Sequence, residues 1–271
     1  MNVEQLTSLS RAVDPRYPSN RLMLVGAGLA GLGVGVATLF GADFKAGAPA
    51  AAAAVFFAWA MARELDPDHP KSAALAMPVS LVLVLVVGPP ALLVTFGVLL
   101  GTRVAAATVG TPLRLLDSVA VIGLSAALGT SLIGAVGAAA MIAGVLVGEA
   151  RSRNGIATAA MSAVAYTVVA LLSSFARGWT APTPAEWITV GLAVSATLLV
   201  LPAMTPTSST DRRTDTIERN RVTAARVIAG VAILAGLLLT GGPGIVAIAA
   251  TAAAALMGTA LRRIAGRSAL L

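Results

Sequence analysis

The amino-acid sequence predicts an all-α integral membrane protein of about ten transmembrane helices, arranged as consecutive hairpins. Three observations lead there. Of the 271 residues, 57% are hydrophobic and only 11% charged, against roughly 25% charged in an ordinary soluble domain. The missing charge is not lost evenly, because long uncharged runs alternate with short clusters of ionisable residues. When those runs are read as membrane crossings, nearly all of the Lys and Arg fall on one side.

The first 21 residues are too polar for the apolar core of a secretory signal, so no cleavable leader is expected. Val3, Leu6, Leu9 and Val13 recur at roughly helical spacing, which predicts a short helix lying on the inner membrane surface. A crossing needs about 20 apolar residues, with about 17 as an ordinary lower limit. Leu22–Phe40 meets that as the first helix, and Ala46–Ala62 as the second, stopped by Arg63-Glu64.

Three later runs are too long for one crossing. Ser72–Thr102 has no charge and is broken by Gly88-Pro89-Pro90, which predicts helices 3 and 4. Ser118–Gly148 is broken more weakly by Gly129-Thr130-Ser131, giving helices 5 and 6. Ile156–Phe175 and Trp187–Met204 are single spans, helices 7 and 8. Val227–Leu261 is interrupted by Gly241-Gly242-Pro243-Gly244, giving helices 9 and 10. Glycine reaches positive φ and proline cannot continue the hydrogen-bond ladder, so these clusters mark turns. Residues 1–21 form an N-terminal segment, 22–204 helices 1–8, 205–224 a polar loop, 225–262 helices 9–10 and 263–271 a tail.

The distribution of basic residues tests this count. With both termini cytoplasmic, 17 of the 19 Lys and Arg lie inside and two, Lys45 and Arg177, outside. Reading Ser118–Gly148 as one crossing would send Arg151, Arg153 and the loop from Arg212 to Arg226 to the other side and abolish the asymmetry. The expected location is therefore the cytoplasmic (inner) membrane. The even helices also end alike, with Gly97 to Arg103 matching Gly144 to Arg151, which fits an internal two-helix repeat or convergence on a common helix ending. Ala27, Gly31 and Gly35 on helix 1, and Ala140, Gly144 and Gly148 on helix 6, form small-residue faces suited to close helix packing in lipid.

Composition also narrows function. The formal charge of +7 sits at the ends of apolar runs, so its expected partners are anionic lipid headgroups and not nucleic acid. With no cysteine there are no disulfides, thiolate nucleophiles or Cys-based metal sites. No Asp, Glu, Lys, Arg or His lies near the middle of any predicted helix. The polar groups there are Thr95, Ser125, Ser162, Tyr166, Ser195 and Thr197. No zincin, Walker A or nucleophile-elbow motif is present.

Chemistry-bearing residues instead gather on the inner side. Arg63-Glu64-Leu65-Asp66-Pro67-Asp68-His69-Pro70-Lys71 joins helices 2 and 3. Asp66 and Asp68 are candidates to hold Mg²⁺ against a phosphate, and His69, the one histidine, is a candidate proton carrier. The same residues also make a good mechanical stop, since Pro67 and Pro70 push the residues before them out of the helical region. Arg103, Glu149 and Arg151 occupy places after helices 4 and 6 like that of Arg63 after helix 2, so Arg63, Glu64, Arg103 and Glu149 are expected near one another. The alternative for each arginine is snorkelling to lipid phosphate. Trp59, Trp179 and Trp187 fit interfacial anchors.

These residues are the substrate- or phosphate-binding candidates; no catalytic residue is assigned. No cofactor is expected, and Mg²⁺ enters only if the substrate is a phosphate-bearing lipid. In helix number and orientation the chain resembles the ten-helix drug/metabolite transporters, a likeness of architecture that brings no site residue with it. The expected function is transport of a small organic or lipid-like solute. Two alternatives stand beside it: a membrane-embedded enzyme acting on a phosphate-bearing lipid at the cytoplasmic face, and an accessory subunit in a homo- or hetero-oligomer.

Overall fold

The computed structural model describes residues 7–9, 13–150, 152–173, 178–202, 206–210 and 215–268. Among these residues the chain is all-helical, with ten helices and no strand beyond two isolated bridges. The first nine are α1 (Pro18–Leu39), α2 (Ala48–Leu65), α3 (Pro70–Val86), α4 (Leu92–Ala106), α5 (Leu115–Leu128), α6 (Gly134–Gly148), α7 (Arg153–Leu172), α8 (Pro184–Val200) and α9 (Arg219–Thr240). The last, α10, runs Gly242–Ile248, passes through a π-helical segment Ala249–Ala253 and resumes as Ala254–Ser268.

Local chemistry sets the helix ends. Proline opens α1, α3 and α8, where its missing N–H would be unpaired in any case. The three breaks in the long apolar runs occur where the sequence predicts them. Residues 87–91 separate α3 from α4, residues 129–133 separate α5 from α6, and Gly241 alone separates α9 from α10. Gly241 has φ +70°, and a Cβ there would lie 2.9 Å from the Thr180 carbonyl carbon, so the position requires glycine on two counts. The Thr180 amide donates to Thr240 O (3.1 Å) and Thr180 O accepts from the Gly242 amide (2.9 Å), which fastens the α7–α8 loop to this turn.

Several helices overrun the apolar segments that predict them. α1 starts at Pro18 and not Leu22, α9 at Arg219 and not Val227, and α10 continues past Leu261 to Ser268. An apolar run measures the burial a residue needs, whereas the hydrogen-bond ladder continues through Arg, Asn and Thr at a cost of no more than about 0.7 kcal/mol per residue. Among the described residues, four helices are long and apolar enough to cross a membrane: Pro18–Leu39, Arg153–Leu172, Arg219–Thr240 and Gly242–Gly266. The apolar helices α3, α4, α5, α6 and α8 are shorter, at 14 to 17 residues.

Of the N-terminal segment whose spacing predicts a surface helix, Ser8 and Leu9 form a bend and Val13 is not helical, while Val3 and Leu6 lie outside the described residues. The Ser8 amide (2.8 Å) and hydroxyl (2.6 Å), with the Thr7 hydroxyl, donate to the buried Asp117 at the start of α5. A buried carboxylate needs such donors, and they hold the segment across the helix ends.

Packing follows side-chain size. α10 is the central helix, with every residue from Ile248 to Leu256 fully or almost fully buried. α4 and α6 run parallel and approach backbone to backbone. A Cβ on Gly97 would sit 2.8 Å from Gly137 O, and one on Gly144 would sit 2.5 Å from Gly101 Cα. Gly31 and Gly35 of α1 likewise face Ala48 of α2. Large apolar side chains point outward instead. Leu29, Leu32 and Leu39 of α1, Leu171 and Leu172 of α7, and Leu238 of α9 are all more than 60% exposed. An apolar belt of this extent is foreign to a monomeric protein surface facing water.

Candidate functional site

Polar chemistry concentrates at one end of the bundle, where the even-numbered helices terminate. Helix C-termini leave carbonyls without intrahelical donors, and arginines from other helices supply them. Arg226 of α9, 3% exposed, donates through Nε to Leu65 O at the end of α2 (2.8 Å) and through Nη1 to Val200 O at the end of α8 (2.8 Å). Arg263 of α10 donates to Leu199 O (2.9 Å) and Pro202 O (3.0 Å). Arg221 of α9 donates to Gly148 O at the end of α6 (3.1 Å). These guanidiniums meet the negative ends of helix dipoles as well as their free oxygens.

The end of α2 carries the carboxylates that balance them. Glu64, fully buried, accepts from Arg103 Nε of α4 at 2.8 Å and from the Thr108 hydroxyl. Arg103 Nη1 also donates to Leu9 O (2.9 Å). Ala107, with φ +51°, ends α4 in a left-handed turn that precedes Thr108 and its bond to Glu64. Asp66 accepts from the Ser72 hydroxyl (2.5 Å) and Arg262 Nη2 (3.0 Å), and lies 3.1 Å from His69 Nδ1 and 3.9 Å from Arg226 Nη2. One helix terminus thereby ties together α3, α4, α9 and α10.

Not all of the expected cluster converges. Glu64 and Arg103 are paired, and Arg103 shares a cleft with Glu149. Arg63, by contrast, stacks on Trp59 (5.5 Å to the ring centroid) and reaches Ser19 Oγ at 3.4 Å. That Trp59 is 5% exposed corrects its reading as an interfacial anchor. Arg103 is bonded inward, which corrects the snorkelling alternative: a carboxylate at hydrogen-bond distance outcompetes water when the stem is already buried. Arg151 lies outside the described residues.

Asp66 and Asp68 do not form a pair of available ligands. The oxygens of Asp66 are engaged as above, and those of Asp68 accept from the Thr207 (3.0 Å) and Ser208 (2.9 Å) amides. The space beside them is about 20 Å³ and is lined also by Arg226, Arg262 and Arg263. That holds a water at most, and the arginines make it unsuited to Mg²⁺. Among the described residues no group of three His, Cys, Asp or Glu side chains is placed to hold a metal.

Asp68 has a measurable consequence in acid. Burial works to raise its pKa, but the hydrogen bonds from Ser208 and Thr207 outweigh it and hold the carboxyl below its ordinary 3.8. A depressed carboxylate contributes stability above its unfolded-state pKa and loses it as pH falls through the folded value. Wild-type unfolding midpoints should therefore fall more steeply below about pH 4 than those of Asp68→Asn. Parallel acid limbs in a thermal-unfolding series would refute that assignment.

A cleft of about 730 Å³ opens between the ends of α4 and α6 and the starts of α5 and α9, with Arg103, Thr111, Leu113, Glu149, Glu218 and Arg221 among its lining. It reaches only the last turn of α4, at Arg103, and the last residues of α6, from Val147. Arg221 sits beside Glu218 (3.5 Å) on its wall. Glu149 accepts from the Leu113 amide (3.2 Å). Burial raises its pKa, partly offset by that amide and by the charge of Arg221. The Thr111 hydroxyl is buried and has no hydrogen-bond partner among the described residues. Val147 of the lining, and Leu115, Leu116 and Leu146 close to lining residues in sequence, are each more than 40% exposed. The charged lining is two guanidiniums, Arg103 and Arg221, and three carboxylates, Glu149, Asp215 and Glu218, with the unpaired Thr111 hydroxyl between polar and apolar walls.

Sequence reasoning missed Arg221, Arg226, Arg262, Thr108 and Ser72. The signal for Arg226 was its depth. It lies beyond Val222, Ala224 and Ala225, inside the periodic part of α9 and not in the loop before it.

Fold and site together define an all-helical bundle with an apolar belt and a charged cleft at one end. No known protein family, curated protein or solved structure matches the chain.

Proposed function

We propose that the chain is a polytopic membrane protein of ten crossings, with both termini cytoplasmic, that binds an anionic lipid-like amphiphile in its inner-face cleft. The observation that carries the reading is the depth of the cleft. It ends one turn below the helix termini, the depth that headgroups would occupy beside a bundle crossing the membrane in this sense, and it has exposed apolar residues close by in sequence. A phosphomonoester or carboxylate would meet Arg221, Arg103 and the Thr111 hydroxyl, while its chain lies along Leu115, Leu116 and Val147. The short helices fit this orientation, because a 15-residue helix spans about 22 Å and needs longer neighbours to complete the hydrocarbon thickness. Transport of such a solute across the membrane has its own support, the interruption of α10 deep in the bundle, since broken helices recur in transporters.

Two measurements test the proposal. Single cysteines in this cysteine-free chain report topology: Lys71→Cys should resist an impermeant external reagent, and Asp43→Cys should react. Binding is read on purified protein with lysophosphatidic acid against uncharged monoacylglycerol. The acidic lipid should bind at least tenfold more tightly, and Arg221→Gln should erase about tenfold to a hundredfold of that, the worth of a charge-assisted hydrogen bond. Equal binding of the two lipids would sink the headgroup assignment. Equally tight binding of water-soluble glycerol phosphate would replace the amphiphile by a small organic solute.

A further inference from the structure

α10 departs from α-helical geometry in the most deeply buried part of the molecule. The π segment Ala249–Ala253 sits between Ser80 of α3 and Thr95 of α4, and all of its residues are at most 1% exposed. A π turn shifts the hydrogen-bond register by one residue, and such turns collect at functional sites. Here it displaces carbonyl oxygens toward the neighbouring helices. Ala247 O accepts from the Ala91 amide (3.0 Å), and Ala250 O accepts from the Ser80 hydroxyl (2.5 Å).

The remaining contacts are looser. Thr95 Oγ1 lies 3.3 Å from Ala247 O and 3.3 Å from Thr251 Oγ1, and Thr251 Oγ1 lies 3.1 Å from Ile248 O. An O–H···O hydrogen bond prefers about 2.7–2.8 Å, so the Thr95 contacts are poor ones. They are nevertheless well spaced as neighbouring ligands of an ion. Oxygens bound at about 2.3–2.6 Å, the range for Ca²⁺, stand about 3.3–3.7 Å apart when set at right angles. Na⁺ has nearly the same ionic radius as Ca²⁺. The carbonyl of Ala247 keeps a second lone pair beyond its bond to Ala91.

Charge selects between the two ions. Ser72–Thr102 and Val227–Leu261, which include most of α3, α4, α9 and α10, contain no ionisable residue. A divalent ion among neutral oxygens would be uncompensated, whereas two carbonyls and two hydroxyls suit a monovalent one. K⁺ is larger and would spread these oxygens further apart. We propose that Ala247 O, Ile248 O, Thr95 Oγ1 and Thr251 Oγ1 form a Na⁺ site at the π segment of α10. The site is independent of the inner-face cleft and of what the cleft binds. In a membrane-spanning bundle it would be reached from the side opposite the cleft, because Thr95 is in the first turn of α4 and Arg103 in the last.

The test uses the full chain purified in detergent, unfolded thermally in NaCl, KCl or choline chloride at constant ionic strength. The midpoint should rise with Na⁺ by about 3 °C for each tenfold increase above the dissociation constant, and should not respond to choline. Thr95→Val should abolish the response and Thr95→Ser should keep it. A separate measurement, ²²Na⁺ bound to wild type and displaced by unlabelled Na⁺ but not by K⁺, is independent of how well a variant folds. Equal midpoints in Na⁺ and choline, no saturable ²²Na⁺ binding, or a Na⁺ response that survives in Thr95→Val would overturn the site.

Discussion

Valine in place of Gly144 should strongly destabilise this protein. A Cβ at that position meets the backbone of Gly101, at 2.5 Å from its Cα and nearer still to its carbonyl oxygen. Nothing flexible is in the way, so no rotamer change can relieve the clash and the helices themselves must separate. Moving α4 from α6 would also disturb the contacts of Gly97 with Gly137 and of Gly148 with Val104. Overpacking ordinarily costs about 1–3 kcal/mol. With backbone as the obstacle along a whole interface, at least about 4 kcal/mol is expected, which lies in the exceptional range for one residue. The midpoint should fall by about 10 °C or more. Gly33→Ala on α1 is the control, because a Cβ there meets nothing within 4 Å. A Gly144→Val protein that melts within a degree or two of wild type would show that α4 and α6 do not approach this closely.

Loss of the Glu64 carboxylate should have the next largest effect. Glu64 is fully buried and bonded to both Arg103 and Thr108, so Glu64→Ala leaves a mostly buried guanidinium without its counter-ion. Breaking a buried pair in this way costs about 3–5 kcal/mol. Arg103→Lys should cost less, about 1–3 kcal/mol, because one ammonium cannot hold Glu64 and Leu9 O in the two directions that Arg103 Nε and Nη1 take. The double change Glu64→Leu with Arg103→Met removes both charges together and should be less destabilised than the two single changes combined. Additive losses in denaturant unfolding would mean that the two side chains do not interact. Because Arg103 also lines the cleft, lipid binding should change with its replacement.

Glu64 and Asp66 explain why so much charge is retained at one end of an otherwise apolar chain. Five neighbouring helix termini must be joined where the chain has few large apolar side chains to spare. Guanidiniums that cap foreign helix ends, with carboxylates between them, join elements in a defined register. In the proposed topology the same arginines would also satisfy the orientation rule that makes them visible in the sequence.

Periodicity and breaks in the apolar runs were enough to determine ten helices, the three hairpin turns and the end at which charge collects. Those features are local: they depend on Gly and Pro dihedrals and on the length of uncharged runs. The small-residue faces at Gly31 and Gly144 were also legible, since four-residue spacing alone places them on one side of a helix. Partners were not legible. Whether Arg103 meets Glu64, Glu149 or lipid depends on which helices pack side by side, and the separation of 39 residues between Glu64 and Arg103 carries no sign of that. The π segment lies in a run of alanines with uniform propensity, so nothing local distinguishes it from plain helix. Its distant partners are the Ser80 hydroxyl, which bonds Ala250 O within it, and the Ala91 amide, which bonds Ala247 O just before it. Tertiary structure decided these points because hydrogen bonds and close packing depend on distance in space, and sequence pattern records only the face a residue is on.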